Sequence, residues 1–485
     1  MIFNSLEFAI FLPLVFLIYW LILVRMRQAQ NGFLVMSSYV FYGWWDWRFL
    51  ILIFASSLVD YLVGLGLGKV ADNKATTRKI ILGISLFANL GLLGVFKYYN
   101  FFVESLSEAV TLFGQQLDVT TLSWVLPVGI SFYTFQTLSY SIDVYRNKME
   151  PVHDPVAFFA YVSFFPQLVA GPIERASHLV PQFMKPRAFS YNQASDGLRQ
   201  ILWGLFKKMV IADNCAVLVN QIFDTPESYP GLILALGAIL FAFQIYGDFS
   251  GYSDIAIGTA RLFGFNIMRN FAYPYFSRDI AEFWRRWHIS LSSWFKDYLY
   301  IPLGGSRTKP WKIYRNIAVI FLVSGFWHGA NWTFIAWGAL HALFFFPLLI
   351  SKKNRLHITP IAEGRRLPTG RELFQIFCTF TIVCVAWVFF RADSLMDAFA
   401  YLWRAISTLH TDLPAFASYI AHEAFEPLIM IIVLLVVEWT QREHQHGLNL
   451  SKVKWAPVRY AIYYAIIFII FQYGGEQQDF IYFQF

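Results

Sequence analysis

Apolar residues recur in long runs from residue 6 to residue 473, and short polar segments separate these runs. About a dozen apolar segments are present, and they differ in length and regularity. Five of them look like ordinary membrane-spanning segments: 6–24, 79–97, 372–390, 427–440 and 457–473. The alternation typical of membrane β-barrels is absent. The pattern therefore predicts an all-α, polytopic membrane protein of about a dozen helices, forming one integral-membrane domain over residues 1–485.

Other apolar segments are interrupted by glycine, proline or polar residues. The interruptions fall at Pro127-Val-Gly129, at Pro166 with Gly171-Pro172, and at Gly247-Asp-Phe-Ser-Gly251. Irregular backbone at membrane depth is tolerated only where it is buried in protein or lines a cavity. We therefore expect re-entrant or short tilted helices around a central tunnel.

Composition agrees with a membrane protein, since 57% of residues are hydrophobic and only 14% are charged, against about 25% charged in average soluble proteins. Lysine and arginine concentrate in certain polar segments, and the net charge is +7. Under the positive-inside rule these segments are cytoplasmic. The rule predicts that both termini and the 391–426 loop are extracytoplasmic. No basic run is long enough to favour nucleic-acid binding, and residues 1–24 indicate an uncleaved first span.

Residues 282–299 differ from the apolar spans because they combine aromatic and basic side chains. Helical spacing aligns an aromatic stripe, and it places Arg285, His288 and Ser292 on another face. The stripe consists of Trp284, Trp287, Leu291, Trp294 and Tyr298. An aromatic and basic helix of this kind is typical of a membrane interface. We therefore predict a cytoplasmic interfacial helix and loop over residues 282–307.

A charge-free run from Asn316 to Ser351 contains His328 near its middle, in the sequence Gly325-Phe-Trp327-His328-Gly-Ala-Asn331-Trp. Ionisable residues are costly inside a membrane and usually face a bundle interior or a wet cavity. An imidazole can act as a general base near neutral pH. From the pattern alone, a catalytic role and a buried structural role for His328 are equally supported.

Several other residues could contribute to chemistry or to structure. Asp248 and Asp254 are intramembrane carboxylates that could orient a histidine, although tying helices together is the better interpretation. His341 and the three cysteines are interpreted as structural, and no metal-ligand spacing is present. The nucleophile elbow, the HExxH motif, the P-loop and the dinucleotide-binding glycine motif are also absent from the sequence.

The sequence resembles the membrane-bound O-acyltransferases (MBOAT), and within them the bacterial alginate and peptidoglycan O-acetyltransferase branch. Two blocks carry the resemblance, Glu282-Phe-Trp-Arg-Arg-Trp-His288-Ile-Ser-Leu-Ser and Gly325-Phe-Trp-His328-Gly-Ala-Asn-Trp. Supporting stretches are Pro127-Val-Gly-Ile-Ser-Phe-Tyr-Thr-Phe, Phe165-Pro-Gln-Leu-Val-Ala-Gly-Pro172-Ile and Asp248-Phe-Ser-Gly-Tyr-Ser-Asp254. The likeness extends from Tyr39 to the C-terminus.

The resemblance implies roles for particular residues. His328 would be the catalytic histidine within spans covering residues 316–351, and His288 a second functional position on the cytoplasmic side. Trp327, Asn331, Asp248 and Asp254 would support the site or line the tunnel. Acetyl-CoA, or another acyl thioester, would be the donor substrate, with Arg285 and Arg286 as its binding candidates. No bound cofactor or metal is expected.

The final residues add a further candidate, the motif Phe480-Ile-Tyr482-Phe-Gln-Phe485 within residues 479–485. In related D-alanyl transfer systems a similar motif on a small partner is implicated as an acyl carrier through its tyrosine. A phenol with a pKa of about 10 is a better leaving group than an alkyl alcohol, so acyl-Tyr482 could pass its acyl group onward. An aromatic tail packed at the interface is the alternative.

These observations predict an acyltransferase of the bacterial inner membrane that exports acyl groups, most simply acetyl, for O-acetylation of a cell-surface polysaccharide. The resemblance also implies an extracytoplasmic partner of the SGNH acetyltransferase type, which would contact the polysaccharide, while this chain contacts lipid. Two alternatives stay open: transfer of D-alanine or another acyl group from a carrier protein, and non-covalent transport of a lipid or polysaccharide. A scaffold for a polysaccharide synthase would leave both histidine blocks unexplained.

Overall fold

A computed structural model describes residues 1–117 and 119–483. Within these residues the chain is helical and contains no β-strand, which confirms the predicted all-α class. There are more helices than the expected dozen, because the interrupted segments form short helices. The α-helices are α1 (Leu6–Leu17), α2 (Arg27–Gly43), α3 (Leu50–Lys69), α4 (Ala75–Leu93), α5 (Tyr99–Thr111), α6 (Ile130–Tyr145), α7 (Pro155–Ser163), α8 (Phe165–Leu168), α9 (Ala176–Met184), α10 (Tyr191–Leu205), α11 (Asp213–Asp224), α12 (Gly231–Leu262), α13 (Ile280–Arg286), α14 (Ile289–Phe295), α15 (Pro310–His328), α16 (Trp332–Ile350), α17 (Gly370–Arg391), α18 (Leu395–Ser407), α19 (Leu413–Tyr419), α20 (Phe425–Thr440) and α21 (Ala456–Tyr473).

Short π-helical and 3₁₀ segments extend or join these helices. The π-helical segments are Ile18–Ile22, Gly94–Tyr98, Phe206–Ala212, Lys296–Tyr300 and Ile420–Ala424. The 3₁₀ turns are Trp47–Phe49, Pro226–Ser228, Pro274–Phe276 and Ile481–Phe483. The π-helical segment Phe206–Ala212 joins α10 to α11 without a break, so the lysine- and arginine-rich stretch from Lys185 to Lys208, predicted as a loop, is largely helix.

Seven helical stretches of the described chain are long and apolar enough to cross a membrane. They are Trp47–Lys69, Ala75–Thr111, Gly231–Leu262, Trp332–Ile350, Gly370–Arg391, Leu413–Thr440 and Ala456–Tyr473. Their lipid-facing sides explain the many exposed apolar residues, such as Phe87 and Phe471, which are more than four-fifths exposed. The protein therefore spans the membrane several times.

The chain divides into two compact units. The first comprises residues 1–197 and 256–268, and the second comprises residues 198–255 and 269–485. In the first unit, α3, α4 and α6 pack around a buried polar centre, where the Asp60 carboxylate accepts hydrogen bonds from Ser85 and Ser141, both at 2.5 Å, and from Asn89 at 2.6 Å. Three donors satisfy this side chain, as a buried polar group requires.

The predicted interruption at Gly247–Gly251 is wrong, because α12 is continuous from Gly231 to Leu262. The glycines serve close packing instead. A Cβ atom on Gly251 would lie 2.8 Å from the carbonyl oxygen of Gly204 in α10, and one on Gly247 would lie 2.9 Å from that of Lys207. Because atoms do not approach so closely, only glycine permits this helix contact. Asp248 and Phe249, between the two glycines, are thereby held in the interior of the second unit.

Candidate active site

The turn between α15 and α16 carries His328. The histidine is the last residue of α15, and the predicted 316–351 spans form a helical hairpin whose first helix begins at Pro310. Asn331 caps α16, because its Oδ1 accepts the N–H of Thr333 at 2.9 Å. Its Nδ2 donates to the carbonyl of Asp393 at 3.0 Å, which ties the turn to the end of α17.

Two glycines bring α15 and α16 into backbone contact. A Cβ atom on Gly338 would lie closer than 3.0 Å to the carbonyl oxygen of Phe321, and one on Gly325 would meet that of Phe334 in the same way. The hairpin is therefore rigidly packed on the side that leads to His328. Rigid support of this kind is what a catalytic side chain needs, since small displacements reduce rates strongly.

The protonation of the His328 ring follows from one hydrogen bond. Its Nδ1 lies 2.6 Å from the carbonyl oxygen of Ser324. A carbonyl oxygen can only accept, so Nδ1 carries the proton and donates it. In the neutral ring, Nε2 then has the lone pair that a general base requires.

His288 lies at a sharp break between α13 and α14. It adopts a left-handed backbone conformation, with φ 43° and ψ 55°, which is strained for a non-glycine residue. The single continuous helix predicted from the 282–299 pattern is therefore wrong, because α13 ends at Arg286 and α14 begins at Ile289. Trp287, Leu291 and Trp294 are buried inside the protein. An earlier segment of the same chain stabilises this break, because the N–H of Ile289 donates to the carbonyl of Asn270 at 2.9 Å.

The His288 side chain is completely buried. Burial lowers the pKa of His288 well below its ordinary value, and the nearby His328 lowers it further. The ring is therefore neutral at physiological pH. A neutral imidazole can donate one hydrogen bond and accept another.

Tyr482 reaches the two histidines from the C-terminus. Its ring centroid lies 5.9 Å from that of His328 and 6.4 Å from that of His288, and the two histidine rings are 6.4 Å apart. At these separations a phenol oxygen and an imidazole nitrogen that extend toward each other lie within hydrogen-bonding distance. The predicted 479–485 motif thus enters the site, although Gln484 and Phe485 lie outside the described residues.

Aromatic rings enclose this triangle of side chains. Phe249 lies 4.6 Å from His288 and 4.7 Å from Tyr482 between ring centroids. Trp327, predicted as a supporting residue, is near all three rings and lies 5.0 Å from His328. Trp337 lies 5.0 Å and Phe390 5.6 Å from His328. These walls limit access of water, which would otherwise compete for an activated acyl group.

The two carboxylates predicted to support the site make their described contacts with lysines and with the C-terminal tail. Asp248 forms an ion pair with Lys208 at 2.8 Å and accepts the N–H of Ile481 at 2.7 Å. Asp254 pairs with Lys207 at 2.6 Å. The suggestion that they join chain segments therefore agrees with the structure better than the suggestion that they orient a histidine.

The arginines predicted to bind the donor make several intramolecular contacts. Arg286 is buried and pairs with Glu282 at 2.7 Å. Arg285 is more exposed and donates to the carbonyls of Asn354 at 2.9 Å and His357 at 2.7 Å. Glu282 already balances the charge of Arg286, which leaves Arg285 as the better of the two candidates for donor binding.

Phe249 and Lys208 contribute to the site, yet the sequence did not single them out. Phe249 lies inside a segment that was interpreted as broken helix, so its position on a helix face could not be assigned. Lys208 is a charged residue only five positions before Asp213 in a largely apolar stretch. A lysine and an aspartate at this spacing in an apolar stretch are the sequence signal that indicates a buried ion pair.

A histidine held as the base tautomer beside a phenol, within a multi-span helical membrane protein, is the arrangement expected of a membrane-embedded group-transfer enzyme. The chain belongs to the membrane-bound O-acyltransferase family, whose family model matches residues 108–390. It is therefore an acyltransferase. The matched range includes both histidine blocks.

Curated relatives share much of the chain. The chain is 42% identical to the probable alginate O-acetylase AlgI of Pseudomonas aeruginosa over 406 residues, which cover 83% of this chain and 74% of that protein. It is 33% identical to the peptidoglycan O-acetyltransferase of Helicobacter pylori, over 98% of this chain and 95% of that protein. Similarity to the teichoic acid D-alanyltransferase of Bacillus subtilis is lower, 29% over 54% of this chain and 68% of that protein.

Proposed function

We propose that this acyltransferase moves acetyl groups from a cytoplasmic thioester, acetyl-CoA, across the bacterial inner membrane for O-acetylation of a polysaccharide. The observation that carries the proposal is the approach of Tyr482 to His328, whose Nδ1 bond to Ser324 leaves Nε2 as the basic atom. Acetyl is favoured over D-alanine because the relatives named as O-acetylases match more of the chain and with higher identity.

In the first step, Nε2 of His328 takes the phenol proton of Tyr482. The phenol oxygen attacks the thioester carbonyl carbon, the C–S bond breaks, and the departing thiolate receives the proton from His328. Proton transfer by a positioned base contributes about 10²- to 10⁴-fold to such a step. His288, neutral because it is buried, donates a hydrogen bond to the carbonyl oxygen as negative charge develops there.

In the second step, the acetyl group leaves Tyr482 for a serine hydroxyl of an extracytoplasmic partner of the SGNH type. The serine oxygen forms the new ester, the bond from the acetyl carbon to the tyrosine oxygen breaks, and the phenol regains a proton. The partner then acetylates the polysaccharide. This order requires the C-terminal tail on the extracytoplasmic side, and the distribution of lysine and arginine supports that orientation.

The test is incubation of purified protein with acetyl-CoA labelled in the acetyl group. Wild type, His328→Ala and Tyr482→Phe are compared for label retained on the chain. We expect label on the wild type alone. Label lost only in His328→Ala would move the acceptor to another residue. A wild type that neither takes up label nor hydrolyses the thioester would overturn acetyl-CoA as the donor and favour an acyl group delivered by a carrier protein.

A further inference from the structure

The residues after α21 form a C-terminal tail, residues 474–483, that is held by its backbone. The N–H of Gly475 donates to the carbonyl of Met209 at 3.0 Å. The ammonium of Lys208 donates to the carbonyl of Gln478 at 3.0 Å, and the N–H of Ile481 donates to Oδ2 of Asp248 at 2.7 Å. The tail is thus bonded at three points to residues of the π-helical segment Phe206–Ala212 and of α12.

Two of these three attachments belong to one buried charge cluster, formed by Lys208, Asp213 and Asp248. The Lys208 ammonium lies 2.7 Å from the Asp213 carboxylate and 2.8 Å from the Asp248 carboxylate, and all three side chains are less than a tenth exposed. Buried charges are costly unless they are paired and hydrogen-bonded. The tail supplies a carbonyl to the ammonium and an N–H to one carboxylate, so cluster and tail stabilise each other.

The register of this attachment matches the position of the reactive tyrosine. Ile481 is bonded to Asp248, and the next residue, Tyr482, lies against Phe249, the next residue of α12. The preceding Phe480 lies 4.9 Å from Tyr252, one helical turn further along. One face of α12 therefore holds the tail in a single register, and a shift by one residue would separate Tyr482 from the histidines.

We propose that the Lys208–Asp213–Asp248 cluster is a positioning device that binds the tail backbone and presents the Tyr482 hydroxyl to His328. The inference rests on the proposed acyl relay through Tyr482 and adds the residues that make the relay efficient. None of the three touches the reacting atoms, so each is a positioning residue. When the attachment is lost, water replaces the phenol as acceptor: its oxygen bonds to the acetyl carbon, the C–S bond breaks, and free acetate and thiol form.

The test compares Lys208→Met with Lys207→Met. Both variants remove a buried lysine that pairs with an aspartate, but the described side-chain contacts of Lys207 are with Asp254, Ser250 and the Tyr246 ring, and none is with the tail. Asp248→Ala and Asp248→Asn form a second pair, because asparagine keeps an oxygen that can accept the Ile481 N–H.

Two measurements are made on full-length protein that elutes as a single species. The first is hydrogen–deuterium exchange of the tail peptide, and the second is the ratio of chain-bound acetyl to free acetate formed from labelled acetyl-CoA. We expect Lys208→Met and Asp248→Ala to raise the amide exchange rate of the tail peptide at least tenfold. The same variants should lower the ratio of chain-bound acetyl to free acetate by about 10- to 100-fold. Lys207→Met should leave tail exchange unchanged, and Asp248→Asn should recover much of the ratio.

The outcomes separate this inference from the relay itself. The positioning role is wrong, and the relay stands, under two conditions. Wild type must be labelled on Tyr482, and Lys208→Met must match Lys207→Met both in tail hydrogen–deuterium exchange and in the ratio of chain-bound acetyl to free acetate. If wild type carries no label on Tyr482, the relay fails and the inference fails with it. If Asp248→Ala does not fold, the two lysine variants decide the question.

Discussion

Gly338→Ala tests how the fold positions His328, the proposed catalytic histidine. The new methyl group would lie closer than 3.0 Å to the carbonyl oxygen of Phe321, whereas ordinary van der Waals contact begins at 3.4 Å. Because the clashing oxygen belongs to the backbone of α15, it cannot rotate away as a side chain could. The two helices must therefore separate by some tenths of an ångström to about 1 Å. Overpacking of this kind costs about 1–3 kcal/mol of stability.

The effect on catalysis should be larger than a general loss of stability explains. His328 ends α15, only three residues beyond Gly325, which also contacts α16. A displacement of about 1 Å in a reacting group can reduce a rate about 100-fold, which corresponds to about 2.7 kcal/mol of activation free energy. We therefore expect Gly338→Ala to retain its fold and to label Tyr482 about two orders of magnitude more slowly.

The assay is the initial rate of label incorporation from labelled acetyl-CoA, normalised to monodisperse protein. Gly83→Ala is the matched control, since a methyl group on this glycine of α4 meets nothing within 4 Å. The control should label at the wild-type rate. A folded Gly338→Ala variant that also labels at the wild-type rate would refute the argument that glycine contact between α15 and α16 positions His328.

Three further predictions concern the histidines and the turn. His328→Asn keeps an N–H donor in the place of Nδ1, within reach of Ser324, but lacks the base, so we expect labelling to fall about 10²- to 10⁴-fold with little change in melting temperature. Asn331→Ala removes the cap of α16 and the tie to Asp393, and it should cost about 0.5–2 kcal/mol in thermal unfolding; no loss of stability would contradict the capping role. Because burial holds the pKa of His288 below its unfolded value of about 6.5, the unfolded chain binds one more proton below that pH. The contribution of neutral His288 to the free energy of unfolding is therefore fully present above pH 6.5. It is lost as the pH falls, by up to about 1.4 kcal/mol per pH unit. Melting temperatures between pH 7 and pH 5 should fall more steeply for wild type than for His288→Gln, and equal slopes would show that His288 titrates normally in the folded protein.

The local sequence determined the membrane class and the family. Continuous apolar runs such as 372–390 and 457–473 became the helices Gly370–Arg391 and Ala456–Tyr473, because a bilayer requires long apolar helices whatever their neighbours are. The two histidine blocks identified the acyltransferase family, since they are local motifs that need no knowledge of the fold.

Tertiary contacts decided where local patterns were ambiguous. Glycines at 247 and 251 are compatible with a broken helix or with close helix packing, and only the approach of Gly204 selects the second. Likewise, helical spacing over 282–299 predicts a continuous helix, but bonds from the 270–272 segment stabilise a break at His288. Propensity is a weak signal that such contacts override.

The assembly of the site itself came only from the tertiary structure. Ile481 bonds to Asp248 across 233 positions of sequence, and this contact brings Tyr482 to two histidines that lie 40 residues apart. No periodicity records such a pairing, because it depends on how helices pack and on which buried charges need partners. The sequence by itself therefore determined what kind of protein this is and which residues could react, whereas the packing of α12, the hairpin and the tail decided which of them meet.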